Sequence, residues 1–418
     1  MFVLINDKKV LIYLIMTAEQ KKWITATVPV LRAHGVLLTT HFYKRMFTHH
    51  PELKNLFNMG NQQSGKQQTA LAMAVLAYAE NIASPSVLAS AVNQIGHKHV
   101  SLSIQPAQYL LVGNHLIASI KEVLGDAATP EIIDAWEVAY SQLAELMSGH
   151  EASLYKKQVA QPHGWTGWRS FKVGKKVSES IEITSFYLYP IDGEKVPPHI
   201  PGQYISAQLF LPELHLKQAR QYSISSVPND EYYRISVKRE KGVDIDADGL
   251  ISNYFHDFIK EGDLVDLTPP AGTFVLPADF KAPLMLISGG VGLTPLMSML
   301  KSLIDKDHPQ PIIWLHGCRN RSVHAFKDHI DYITDQGVAF EKYVFYNTVT
   351  EEDQQEGVLD GYLDINKLPS LVFYPDTHCF ICGPAVFIQK QYHDLLARGV
   401  DKSRIFFEEF GPGVLQLN

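Results

Sequence analysis

A histidine at position 99 closes an apolar stripe in which Leu88, Val92, Ile95 and His99 are spaced by three and four residues. That spacing puts them on one face of a helix. An imidazole there is either a satisfied core histidine or an axial ligand to haem iron, whose usual partner in oxygen-binding helical folds is a neutral histidine. Two further residues bear on the choice. Glu151 falls on the apolar stripe Trp136, Tyr140, Leu143, Met147, Glu151 and Leu154, where a carboxylate needs a partner. Tyr109 follows Pro106 near the start of another helix. A Glu151–Tyr109–His99 chain would hold the imidazole N–H and strengthen the ring as a donor to metal. The plainer alternatives are core packing for Tyr109 and a solvated helix end for Glu151. Tyr43 and Phe57, with the i, i+4 pair Gln67 and Leu71, come from other elements. They offer a hydroxyl and an amide among apolar walls, suited to hydrogen-bonding bound oxygen.

A second constellation lies past the midpoint. In Arg220-Gln221-Tyr222-Ser223 the arginine can pair with a pyrophosphate by charge-assisted hydrogen bonds. Tyr222 can stack on an isoalloxazine, and Ser223 can donate near its reactive nitrogen. Gly290-Val291-Gly292-Leu293-Thr294-Pro295 follows an apolar run and opens a helix, the setting a phosphate loop requires, although Pro295 stands where the third glycine of G-x-G-x-x-G would be. Arg319 and Arg321 fit either a coenzyme 2′-phosphate or a solvated loop. Cys379-Phe380-Ile381-Cys382 spells C-x-x-C with no second pair, inside a run that reads as a buried strand.

Positioning these residues takes more than one core, because 418 residues exceed an ordinary single domain. From Thr17 to about Lys157 the period is helical, opened by a capping box at Thr17 and Gln20. Pro51, Pro85, Pro106 and Pro130 mark first helical turns, and the pattern predicts six or more short helices. Residues 161–168 break it. Alternating runs then predict an antiparallel barrel, with strands at 181–189, 203–211, 220–226 and 233–238. Beyond Lys281 the order strand, glycine turn, helix, strand predicts an α/β domain, with parallel strands at 284–288, 311–316, 343–346 and 379–382. The expected domains are an extension at 1–16, a helical domain at 17–158, a barrel at 164–280 and the α/β domain at 281–418. Met16 reads as the natural start, since the preceding stretch is too short to span a bilayer and lacks a signal peptide's layout. A net charge of −7 argues against nucleic-acid binding, and three late cysteines fit a reducing cytoplasm.

Residues 17–157 resemble the globin domain of bacterial flavohaemoglobins, on His41-Phe42-Tyr43, Arg45-Met46-Phe47-Thr48-His49, Pro51-Glu52-Leu53-Lys54, Phe57-Asn58-Met59, Lys98-His99 and Gln108-Tyr109. The rest resembles their ferredoxin–NADP reductase-like module. The resemblance implies His99 as the proximal iron ligand, Tyr109 and Glu151 as its relay, and Tyr43, Gln67, Leu71 and Phe57 as the distal pocket. It implies that Lys98 tunes the iron. In the reductase it implies flavin contacts from Tyr204 and from the turn Gly249, Ser252 and Asn253. Nicotinamide contacts follow from residues 290–295 and from Cys382-Gly383, where the thiol is equally a buried strand end. Glu409-Phe410-Gly411-Pro412 becomes the terminal segment whose aromatic shields the flavin. The implied cofactors are haem b, FAD and NAD(P)H. The implied activity is a monomeric nitric oxide dioxygenase turning NO and O2 into nitrate, with an oxygen or NO sensor or store, or a general flavin reductase, as alternatives.

Overall fold

The computed structural model describes residues 3–5, 8–10, 16–242, 248–335 and 339–411. The chain divides into two compact units, residues 1–99 with 104–155, and residues 100–103 with 156–418.

A two-stranded antiparallel ribbon, β1 (Val3–Ile5) with β2 (Lys8–Val10), precedes the first helical unit. The α-helices of that unit are α1 (Ala18–His49), α2 (Met59–Gln63), α3 (Lys66–Glu80), α4 (Ala89–Ser101), α5 (Pro106–Leu124) and α6 (Pro130–Ala160). The capping box opens α1 as expected: Gln20 N–H donates to Thr17 Oγ1 at 3.1 Å and Thr17 N–H to Gln20 Oε1 at 2.8 Å. All four prolines stand at helix starts, two of them at short 3₁₀ turns, Pro51–Asn55 and Pro85–Leu88. The helices are not uniformly short, however. α1 runs 32 residues and α6 31, and α1 continues through Pro29. Its buried face, from Ile24 through Phe42 to Met46, outweighs the missing backbone bond.

The second unit contains two sheets. The antiparallel one orders β6-β5-β8-β3-β4-β7, with β3 (Arg169–Ser178), β4 (Ile183–Pro190), β5 (Tyr204–Leu211), β6 (Leu216–Ser223), β7 (Tyr233–Lys238) and β8 (Leu264–Leu267). A bridge between Ile224 and Ile235 joins its two ends into a barrel. Phe171, Phe186, Ile205, Ile235 and Leu267 fill the barrel, and α7 (Leu250–Asp257) packs Phe255 against Phe186. The parallel sheet orders β12-β11-β10-β9-β13-β14. Its strands are β9 (Leu284–Gly289), β10 (Ile312–Cys318), β11 (Phe340–Tyr346), β12 (Leu359–Asp360), β13 (His378–Gly383) and β14 (Ile405–Glu409). Helices α8 (Leu293–Ile304), α9 (Lys327–Asp335), α10 (Glu351–Gln355) and α11 (Ala385–Ala397) connect them. Covered on both faces, β9 is buried along its whole length, which is why it reads as an unbroken apolar run. All four expected parallel strands exist. β3, β8, β12 and β14 had no expected counterpart, and β6 begins four residues before its expected start.

Candidate functional site

In the helical unit, α4, α5 and α6 bring His99, Tyr109 and Glu151 together. His99 Nδ1 lies 2.8 Å from Glu151 Oε1 and 2.9 Å from Tyr109 Oη, and Tyr109 donates to the same Oε1 at 2.5 Å. A carboxylate only accepts, so Nδ1 carries the proton and the lone pair is left on Nε2, the atom free to ligate a metal. Glu151 is 2% exposed, so the solvated-end alternative does not describe it. Burial, then the bond to Glu151, pushes the Tyr109 phenol well above its ordinary range. Two phenols with no hydrogen-bonding role assigned from sequence hold this arrangement in place. Tyr140 donates to the Tyr109 carbonyl at 2.6 Å, and Tyr155 to the Ile104 carbonyl at 2.7 Å. Both sit on the inner stripe of α6, where spacing alone cannot tell packing from hydrogen bonding.

The other expected pocket residues also gather. Tyr43 is 4% exposed, and its ring meets Phe57 edge-on at 5.7 Å and Phe47 at 5.9 Å. Burial pushes its hydroxyl up to about 12, with hydrogen bonds from Gln67 and Gln62 pulling the other way. Gln62, from the short α2, gave no periodic signal. Phe57 and Leu71 are only partly covered although apolar, and His99 keeps a third of its side chain accessible. Half-covered apolar walls, together with an imidazole whose Nδ1 is already anchored, fit a flat apolar macrocycle bound through Nε2. Lys98 precedes His99 on α4.

In the second unit the register of β5 and β6 places Tyr204 opposite Ser223, Ile205 opposite Tyr222 and Ala207 opposite Arg220. Alternation turns Arg220 and Tyr222 to one face and Gln221 and Ser223 to the other. Tyr222 meets Phe255 edge-on at 5.6 Å. Ser223 Oγ is buried with no partner. Arg220 bonds the Ala219 carbonyl at 2.7 Å, and burial lowers its pKa. Among the described residues no carboxylate pairs with it. An orphaned hydroxyl and a guanidinium lacking a counter-charge fit a bound flavin with its pyrophosphate. Gly249 caps α7, where Ser252 Oγ and Asn253 Nδ2 both donate to its carbonyl, at 3.0 and 2.8 Å.

The glycine turn 290–292 joins β9 to α8, with Gly290 at φ +55°. A Cβ on Gly292 would lie 2.2 Å from the Cys382 carbonyl, so only glycine lets this turn press against β13. Leu293, Thr294 and Pro295 are buried in the first turn of α8. Beside the turn, Cys382 pairs in register with Ser288 of β9 and Glu408 of β14. Glu408 is the buried carboxyl that sequence reading passed over in favour of its neighbour Glu409, which pairs with Gly383. Its Oε2 is buried without a partner, and burial pushes the carboxyl up to about 8. Recognising β14 would have exposed it through alternation. Phe410 is about half exposed; Gly411 ends the described segment, and Pro412 lies outside the described residues. Cys379 and Cys382, three apart on β13, point into opposite cores, so the C-x-x-C pair cannot chelate one ion.

A haem-ready helical unit and a flavin- and nicotinamide-ready reductase in one chain define an oxidoreductase with a built-in electron supply. The comparisons agree. Residues 40–147 match the Globin family, and residues 286–392 match the Oxidoreductase NAD-binding domain. The flavohemoprotein of Bordetella pertussis is 48% identical over 402 residues, covering 95% of this chain and 99% of the relative. That of Rhizobium meliloti is 45% identical over 399 residues, covering 95% and 98%. Among solved structures, the flavohemoglobin from Malassezia yamatoensis with bound FAD and heme superposes with a TM-score of 0.82 at 26% identity, covering 95% of this chain and 100% of that one. The FAD/NAD-binding domain of a Vibrio cholerae nitric oxide dioxygenase is 38% identical with a TM-score of 0.53, covering 58% and 99%. The chain belongs to the flavohaemoprotein family, whose cofactors are haem, FAD and NAD(P)H. Among the described residues no helix is long and apolar enough to cross a membrane.

Proposed function

We propose that this flavohaemoprotein is a nitric oxide dioxygenase, converting NO and O2 to nitrate at the expense of NAD(P)H. The observation that carries the reading is the His99–Glu151–Tyr109 relay in a chain that also holds a complete reductase. When bound, haem and FAD supply oxygen activation and the splitting of hydride equivalents into single electrons. The chain's own side chains set the conditions. Glu151 keeps the Nδ1 proton on His99, which raises the donor strength of Nε2 and favours activating oxygen over storing it. Tyr43, kept protonated by burial, presents a hydroxyl donor beside the Gln67 amide on the ligand side. Arg220 and Ser223 orient the flavin, and the Gly290–Gly292 turn brings the nicotinamide coenzyme to it. Glu408, neutral near physiological pH, places an exchangeable proton beside Cys382.

A sensor or store has no use for a dedicated electron supply, and a general flavin reductase has none for the relay. The test is NO removal by the intact chain with NADH in air, followed at an NO electrode beside flavin reduction. His99→Ala should abolish NO removal, while NADH still reduces the flavin. A variant that removes NO at the wild-type rate would refute the assignment.

A further inference from the structure

The parallel sheet reverses its order between β9 and β13, and dinucleotides cross the carboxyl ends of strands at such a point. The glycine turn after β9 fixes the pyrophosphate there, so the adenosine half extends toward the end of β10. Residues just past that strand choose the coenzyme: an arginine accommodates a 2′-phosphate, whereas an acid accepts from a 2′-hydroxyl. Here β10 ends at Cys318 and is followed by Arg319, Asn320 and Arg321. Sequence alone leaves these two arginines as either phosphate receptors or a solvated loop, but both are already engaged. Arg319 Nη2 bonds Glu182 of the barrel. Arg321 Nε donates to Asp353 Oδ1 at 2.7 Å, with Glu356 Oε2 2.8 Å from Nη2 and Glu352 Oε1 3.5 Å from Nη1. Two guanidinium groups thus face four carboxylates.

This arrangement is built rather than incidental. Asp353 is 1% exposed, and its other oxygen accepts from Thr350 N–H and Thr350 Oγ1, both at 2.9 Å, in the capping box of α10. Withdrawing Arg321 would strand a buried carboxylate. The next cation, Lys327, is held by Asp331 at 2.7 Å and Glu356 at 3.2 Å. We propose that the acidic turn carrying Glu352, Asp353 and Glu356 is the coenzyme filter of this reductase: it sequesters Arg321, repels a 2′-phosphate and makes the enzyme NADH-selective. A phosphate dianion would have to dislodge Arg321 from its carboxylates, whereas the neutral 2′-hydroxyl finds acceptors in place.

The inference rests on the reductase oxidising a nicotinamide coenzyme. The experiment is anaerobic flavin reduction in the full-length holoprotein, with NADH and NADPH compared by kcat/KM. Like-charge juxtaposition on this scale corresponds to a preference for NADH of about 100-fold. Glu352→Gln with Glu356→Gln, both on exposed side chains, should reduce the NADH-to-NADPH ratio about tenfold, and Asp353→Asn should reduce it further. If Asp353→Asn unfolds the turn, the double variant alone decides. Equal use of both coenzymes by the wild type, or an unchanged ratio in the double variant, overturns the filter and leaves the oxidoreductase reading intact. Failure of both coenzymes to reduce the flavin overturns both.

Discussion

Two buried carboxyl groups, one in each unit, are put to opposite uses. Glu151 receives two hydrogen bonds on one oxygen, from His99 and Tyr109, and serves as a fixed acceptor. Glu408 has a buried oxygen with no partner, and burial alone pushes it up to about 8. The first therefore fixes the orientation of the His99 ring, whereas the second, raised to about 8, holds a proton at neutral pH. Donor supply, more than depth, separates an anchor from a proton store.

The largest effect should come from removing the anchor. Glu151→Ala strands the Nδ1 proton and the Tyr109 hydroxyl in the core, and should cost about 2–4 kcal/mol of stability. It should also lower the iron–histidine stretching frequency in resonance Raman spectra. An unchanged frequency would show that Glu151 does not polarise His99.

A smaller effect is expected at the store. A carboxyl raised from 4.5 to about 8 on folding contributes stability that is fully present below its unfolded value and is lost as pH rises through about 8. The flavin-free protein should therefore melt at progressively lower temperature between about pH 5 and 9, and Glu408→Gln should flatten that slope. Identical slopes would place the proton elsewhere. The smallest effect belongs to Tyr109→Phe, which removes one donor from Glu151 while leaving His99 bonded. It should cost about 1 kcal/mol in a denaturation curve, with a Raman shift smaller than that of Glu151→Ala. A shift as large would mean that Tyr109, not Glu151, governs the ring.

Legibility in the sequence followed the range of the interaction. His99 and Glu151 sit on helical stripes that the helix period alone sets on inner faces, and Tyr109 follows the proline that opens α5. Tyr222 and Ser223 were readable from a four-residue run, Tyr204 only through the family resemblance, and the hairpin register brings the three together. Glu408 was not, because β14 is a five-residue edge strand defined by its pairing with β13. Arg321 was undecidable for a similar reason: the carboxylates that claim it lie about thirty residues away, on a turn whose placement is tertiary. The length of α1 escaped because helix period marks faces rather than ends, and core packing carries the helix through Pro29.

The placement of the three cysteines has a consequence for reactivity toward nitrosating and oxidising agents. Cys318, Cys379 and Cys382 are all buried, and burial pushes Cys318 and Cys379 up to about 12 and Cys382 well above its ordinary value. Nitrosating and oxidising agents capture thiolates that solvent can reach. The reductase unit thus offers such agents almost no reactive thiolate.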